Sequence, residues 1–167
     1  ALVLSCSLCM AEDFPEDTNV IKSLTAEQAA ELVLVVTHER KSKFLDLQGL
    51  NSIDKEVAQV IWNIKSSLDP SGPFPRGLSL SGLTSINKEV AQELVKFKGS
   101  LVLNGLTSID KDVAQELAKF EEKILSFNIL FLSGLTSIDK EVAQELAKFK
   151  AEVLDLSGLT SIDKDVA

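Results

Sequence analysis

Residues 134–150 read GLTSIDKEVAQELAKFK, and the chain returns to this phrase repeatedly. It recurs from Gly82 as GLTSINKEVAQELVKFK and from Gly105 as GLTSIDKDVAQELAKFE, each with two changes. A looser copy, GLNSIDKEVAQVIWNIK, begins at Gly49, and a fifth begins at Gly158 and reaches Ala167. Every copy follows a short alternating phrase: LDLQ, LSLS, LVLN, LFLS and LDLS. Self-similarity at a fixed short period is the mark of a repeat architecture, so the repeat is read before anything else.

One copy can be read letter by letter. In Leu101-Val102-Leu103-Asn104 the two leucines point one way and their neighbours the other, which is strand alternation. Gly105 suits a tight backbone turn. Leu106 then points back inside, and Asp110 stands where a helix N-cap belongs. Ile109 before it can pack on the first turn as a staple. The helix is predicted over residues 111–120, with Val113, Leu117 and Phe120 on one apolar stripe beside Ala114 and Ala118. Asp112, Gln115, Glu116 and Lys119 are expected on the opposite, wet face. Each unit is thus one short strand, one turn and one amphipathic helix.

The aligned isoleucines Ile53, Ile86, Ile109, Ile138 and Ile162 are spaced by 33, 23, 29 and 24 residues, and Leu24 precedes the first by 29. The basic unit is therefore 23–24 residues, with insertions between helix and next strand. Residues 20–44 read as a degenerate first repeat that keeps its helix, with Thr25 in the cap position, and lacks the Gly-Leu turn. An atypical end unit is what a stack of repeats requires, because one of its faces meets water. Residues 45–167 are the repeats proper, the last cut short. The longest insertion, SSLDPSGPFPRG at 66–77, has three prolines and is a surface loop. Trp62, where other copies have Ala or Val, and Phe74 in that loop are expected either to cover each other or to form an aromatic docking patch. A second insertion, 121–128, adds ILSFN ahead of the strand and makes the run 124–132 strongly apolar; it is read as a loop and a lengthened strand start.

Seventeen basic residues against 25 acidic ones give a net charge of −8, which argues against nucleic acid as a partner. No run of about 18 apolar residues is available to span a bilayer. Residues 1–11, ALVLSCSLCMA, are apolar and uncharged, and the acidic stretch EDFPEDTN follows at 12–19 as a linker. This is the layout of a secretory leader ending in a small-residue cleavage site, here lacking its initiator Met and basic start. It implies a mature chain outside the cytoplasm, secreted, periplasmic or in the cell envelope. Three other readings exist for the same stretch. Cys6 and Cys9 have C-x-x-C spacing, but only His38 elsewhere is an N or S donor for a zinc site. Residues 3–6 loosely fit a lipoprotein box, and an apolar strand capping the first repeat is the plainest alternative. His38 itself, at the basic end of the first helix, is read as an exposed helix-end histidine.

An LxL strand, a turn and a helix at this period resemble the leucine-rich repeat, over about residues 24–167. The near-identical version GLTSID(K)(D/E)VAQELAKF looks like repeats of secreted or envelope-associated bacterial proteins. The resemblance implies an α/β fold: a leucine-rich-repeat solenoid with short parallel strands on its concave side and one helix per repeat on its convex side. Strands about 4.8 Å apart and helices about 8–10 Å apart would make such a stack curve. Leu101 and Leu103 match the family's strand leucines. The chain departs from the family at Leu50, Leu83, Leu106, Leu135 and Leu159, where many members carry an Asn that bonds into the turn above.

No phosphate loop, nucleophile elbow, HExxH or EF-hand loop is present, and the repeated Asp-Lys-Glu triplets are helix starts copied by duplication. The chain is expected to have no catalytic, cofactor or metal site. Variation between copies is more informative. The outward strand positions form one stripe, Asp46, Ser79, Val102, Phe131 and Asp155, and a second, Gln48, Ser81, Asn104, Ser133 and Ser157. Small polar side chains with Val102 and Phe131 at the centre suit an extended protein surface, or a glycan, with Phe131 as the anchor. The expected function is a non-catalytic protein-binding scaffold. The alternatives are a structural spacer or surface array, and a regulatory or targeting segment of a larger secreted enzyme.

Overall fold

The computed structural model describes residues 14–36, 44–67, 77–97, 99–120 and 129–162. Strands alternate with helices along the chain. Strands β1 (Phe44–Asp46), β2 (Gly77–Ser79), β3 (Ser100–Val102), β4 (Ile129–Phe131) and β6 (Val153–Asp155) form one five-stranded sheet in that order, and every pairing is parallel. Between them lie helices α2 (Lys55–Ser67), α3 (Lys88–Leu94), α4 (Lys111–Leu117) and α5 (Lys140–Leu146), preceded by α1 (Ala26–Leu34). Each helix packs on the next in sequence, as each strand of the large sheet does. Two further short strands, β5 (Ser137–Ile138) and β7 (Ser161–Ile162), pair in parallel between the last two units.

The register explains the invariant leucines. Leu45, Leu78, Leu101, Leu130 and Leu154 lie side by side across the sheet. The first four are buried, as are Leu47, Leu80, Leu103 and Leu132 two residues on, and the helices cover them through Val57, Val90, Val113 and Leu94, Leu117. The sheet continues past its formal ends: the Leu47, Leu80, Leu103 and Leu132 amides donate to the Ser79, Val102, Phe131 and Asp155 carbonyls, each at 2.9 Å. A turn follows at once, closed by Leu50 N–H to Leu47 O, and likewise from Leu83, Leu106, Leu135 and Leu159, at 3.0–3.1 Å.

The glycine of each turn is needed for a reason other than turn conformation. Among the described glycines only Gly99 has a positive φ, 134°. A Cβ on Gly105 would instead lie 2.1 Å from the Ser81 carbonyl oxygen and 2.5 Å from that of Leu83, both in the preceding unit. Gly82 and Gly134 meet the same two carbonyls of the unit before them. The glycines are therefore contact residues that let successive turns nest backbone against backbone.

Helix starts follow the sequence reading. The side chains of Asp54, Asn87, Asp110 and Asp139 accept from the backbone N–H three residues on, at 2.8–2.9 Å. Thr25 does so in a capping box with Gln28. Each cap satisfies a donor that helix geometry leaves open, worth about 1 kcal/mol. The fourth helix closes earlier than the predicted 111–120, giving way after Leu117 to a turn that seats Phe120 in the core.

The start of the body differs from the expected division into an acidic linker at 12–19 and a repeat from 20. Phe14 packs on the core, Thr18 is buried with its hydroxyl donating to the Asp46 carbonyl, and the carbonyls of Asn19 and Ile21 meet Gly49 as those of Ser81 and Leu83 meet Gly105. Residues 18–21 thus act as the turn of a first unit. Val20 takes the glycine position and is 56% exposed, since among the described residues no earlier turn presses against it. The leader stretch 1–11, His38, Phe74 and the insertion at 121–128 lie outside the described residues.

Candidate binding face

Both outward stripes read from the sequence exist as rows. Asp46, Ser79, Val102, Phe131 and Asp155 are direct neighbours across five strands. Their surroundings differ from the simple expectation of a solvated row. Ser79 is 3% exposed, and its hydroxyl lies 3.3 Å from that of Ser81. Val102 and Phe131 are half-buried, shoulder to shoulder in the centre. At the ends stand two acids. Asp46 accepts from the Gln48 amide at 2.8 Å, and Asp155 accepts from the Ser157 backbone N–H at 2.9 Å. That backbone bond holds the Asp155 carboxyl below the ordinary Asp range, so this end of the row is anionic at neutral pH.

The second row lies in the turns. Gln48 and Ser157 are exposed, and Ser81, Asn104 and Ser133 are half-buried. Asn104 ties one turn to the next, its side-chain oxygen accepting from the Ser133 backbone N–H at 3.1 Å. The bond comes from Asn104, two residues before the buried Leu106 at which the chain departs from the leucine-rich-repeat pattern. At the last junction, the Thr160 N–H and hydroxyl both donate to the Thr136 carbonyl, at 3.0 and 3.2 Å.

The two rows read from the sequence leave out a third. Two residues before the first row lie Phe44, Gly77, Ser100, Ile129 and Val153, on the same side by strand alternation. Phe44 and Val153 are 43% and 42% exposed, unusual for large apolar residues in this chain, and Ile129 is half-buried. The Phe44 ring leans over Gly77, where a Cβ would come within 2.2 Å of it. Val102, Ile129, Phe131 and Val153 together form an apolar patch on the outward side across β3, β4 and the start of β6, with Ser100 and Asp155 beside it. The signal was in the sequence: FLDLQ, ILFLS and VLDLS begin their alternation one step before the LxL core.

Trp62 is on the helical side and is held there. Its ring N–H donates to Glu93 at 3.0 Å, and the Lys96 ammonium stands 5.4 Å from the ring centroid. Glu93 belongs to a row that the sequence placed on the wet face. Glu93, Glu116 and Glu145 are instead buried, Glu116 to 4% exposed. Each lies between consecutive helices and accepts from the lysine three residues on, at 2.7, 2.5 and 2.6 Å. Gln92 of α3 adds a bond to Glu116 at 3.2 Å, as Trp62 does for Glu93. A buried carboxylate is tolerated only when it is paired and bonded, and these donors meet that condition.

Burial opposes ionisation of Glu93 and Glu116, but the bonds from Lys96 and Trp62, and from Lys119 and Gln92, outweigh it and lower both pKa values from 4.5. A folded-state pKa below the unfolded value gives stability that is complete above about pH 4.5 and lost as pH falls through the lowered values. Thermal unfolding at pH 6 and pH 3 should show a drop in Tm on acidification, and Glu93→Gln with Glu116→Gln should flatten it.

A shallow depression of about 210 Å³ lies between α4 and α5, lined by Gln115, Ala118, Lys119, Glu145, Lys148 and Lys150. Lys119 and Lys148 are already neutralised there by Glu116 and Glu145. Among the described residues no group of three or more His, Cys, Asp or Glu is placed to hold a metal ion, and no helix is long and apolar enough to cross a membrane. No family model, no curated protein and no solved structure matches the chain.

Proposed function

We propose that this chain is a leucine-rich-repeat solenoid that works without catalysis as a protein-binding scaffold outside the cytoplasm, its outward strand rows forming a concave recognition face. The observation that carries the reading is a contrast within one sheet. The inward leucines are the same in every unit, whereas the residues beside them change from Asp46 to Ser79, Val102, Phe131 and Asp155. Packing requires the first set and leaves the second free to differ. The apolar centre of Val102, Ile129 and Phe131, bounded by Asp46 and Asp155, fits an extended protein segment with an apolar middle. A glycan surface is the other ligand class that such a row of small polar groups suits. The near-identity of the helices supports a second reading, a structural spacer whose repeats set length alone.

The two readings separate in a capture experiment with an envelope extract of the source organism. The chain carrying Val102→Ser and Phe131→Ser should lose at least tenfold of a partner that the parent chain retains. These half-buried positions leave the leucine core intact, so thermal unfolding should stay close to that of the parent. Equal capture by both chains removes the strand face from consideration and favours the spacer.

A further inference from the structure

The first outward row carries charge at its β1 end and apolar groups in its middle. Asn19 and Ile21 set their carbonyls against Gly49 as Gln48 and Leu50 do against Gly82. Asp17, two residues before Asn19, therefore takes the place beside Asp46, itself two residues before Gln48. The Thr18 hydroxyl on the Asp46 carbonyl ties the two segments together. Neighbouring carboxylates repel each other, and their bonds do little to offset this. Asp17 accepts from the Asn19 backbone N–H and Asp46 from the Gln48 amide, both neutral donors. The other Asp46 carboxylate oxygen and the Asn19 side-chain oxygen are enclosed with no donor, which costs stability. No Lys or Arg occurs in the three outward rows, and among the described residues neither acid is in an ion pair. The buried Ser79 separates this anionic end from Val102 and Phe131. Asp155, beyond Phe131, is a single carboxylate already engaged by the Ser157 N–H.

We propose that the strand face takes an extended polypeptide that crosses the strands, with a Lys or Arg over Asp17 and Asp46 and a large apolar side chain four residues away over Phe131. This rests on the strand-face reading above and adds to it the chemistry and spacing of the ligand. Parallel strands lie about 4.8 Å apart, so the three steps from Asp46 to Phe131 span about 14 Å. An extended chain advances about 3.4 Å per residue, so four residues also cover about 14 Å. Residues i and i+4 of such a chain point to the same side, which brings both side chains onto the sheet. A cation between the two acids replaces their repulsion with attraction, and Arg can meet a carboxylate through two parallel N–H bonds.

The test is fluorescence anisotropy of the full chain with labelled Ser-Gly peptides, each carrying one Arg and one Phe at a separation varied from two to six positions. Binding is expected to be tightest at a separation of four and to weaken about tenfold in the chain with Asp17→Asn and Asp46→Asn. Asn keeps the acceptors that the Asn19 N–H and the Gln48 amide use, so thermal unfolding of this variant should match the parent. Binding that Phe131→Ser abolishes, but that ignores the Arg, the separation and the two acids, overturns the proposal and leaves the strand-face reading standing. Binding indifferent to Phe131→Ser counts against both. No binding of any peptide overturns the proposal alone, because the capture experiment above reads the strand face independently.

Discussion

Gly105→Val should destabilise the chain by about 3 kcal/mol, the upper end of the range for forcing atoms into a packed site. The first atom of the new side chain has no room: it falls 2.1 Å from one carbonyl oxygen and 2.5 Å from another. Both belong to backbone held by the turn bond from Leu83 N–H to Leu80 O and by the strand bond from Leu80 N–H to Val102 O. Relief requires the two units to move apart, which would also separate Leu78 from Leu101. Urea unfolding followed by circular dichroism measures the loss as a lower midpoint. Val20→Gly is the matching control. That residue has the same place in the first unit but faces water, so its replacement should change stability by only a fraction of this amount.

Phe120→Ala should cost about 3–5 kcal/mol, as expected for removing a fully buried aromatic side chain. Phe120 closes the turn after α4 and stacks on Phe149 of the next unit, with ring centroids 6.4 Å apart and planes inclined by 19°. Its loss opens a cavity between two units and removes this contact. Phe149→Ala should cost less, because Phe149 is only half-buried. The same urea experiment, run on both variants, gives the ranking. A midpoint for Phe120→Ala within error of the parent would show that Phe120 and Phe149 do not form a shared core between their units.

The features that sequence made legible are those set by local chemistry. Alternation placed Leu101 and Leu103 inside, and Asp110 announced a cap because a helix must begin with unpaired amides. The parallel order of the strands followed from the period, since a helix intervenes between successive copies. What escaped depends on neighbours that a single unit does not contain. Glu116 looks exposed on a lone helix and is buried only because α3 and α5 flank it. The need for Gly105 looked conformational, yet it arises from the turn of the previous unit. Ser79 belongs to the outward row by period but is too small to emerge between its neighbours.

The candidate face was legible in part for the same reason. Period two gave the rows through Val102 and Asn104. It could not tell that Asn104 is spent on the Ser133 amide, nor that Phe44 and Val153 would stay exposed at strand starts. Trp62, expected either to be covered by Phe74 or to form an aromatic patch with it, is engaged by Glu93 of α3 and by Lys96 just after that helix. Recognition by the strand side rather than the helical side is therefore the proposition on which the functional reading rests.

Site-specific photocrosslinking tests that proposition most directly. A benzophenone side chain is placed at position 131 on the strand side or at position 144, where Gln144 is exposed on α5. Both chains are irradiated in cells of the source organism. Light-dependent capture of a discrete partner at 131, and none at 144, is the predicted result. Capture at 144 alone, or equally at both, would contradict recognition by the strand face.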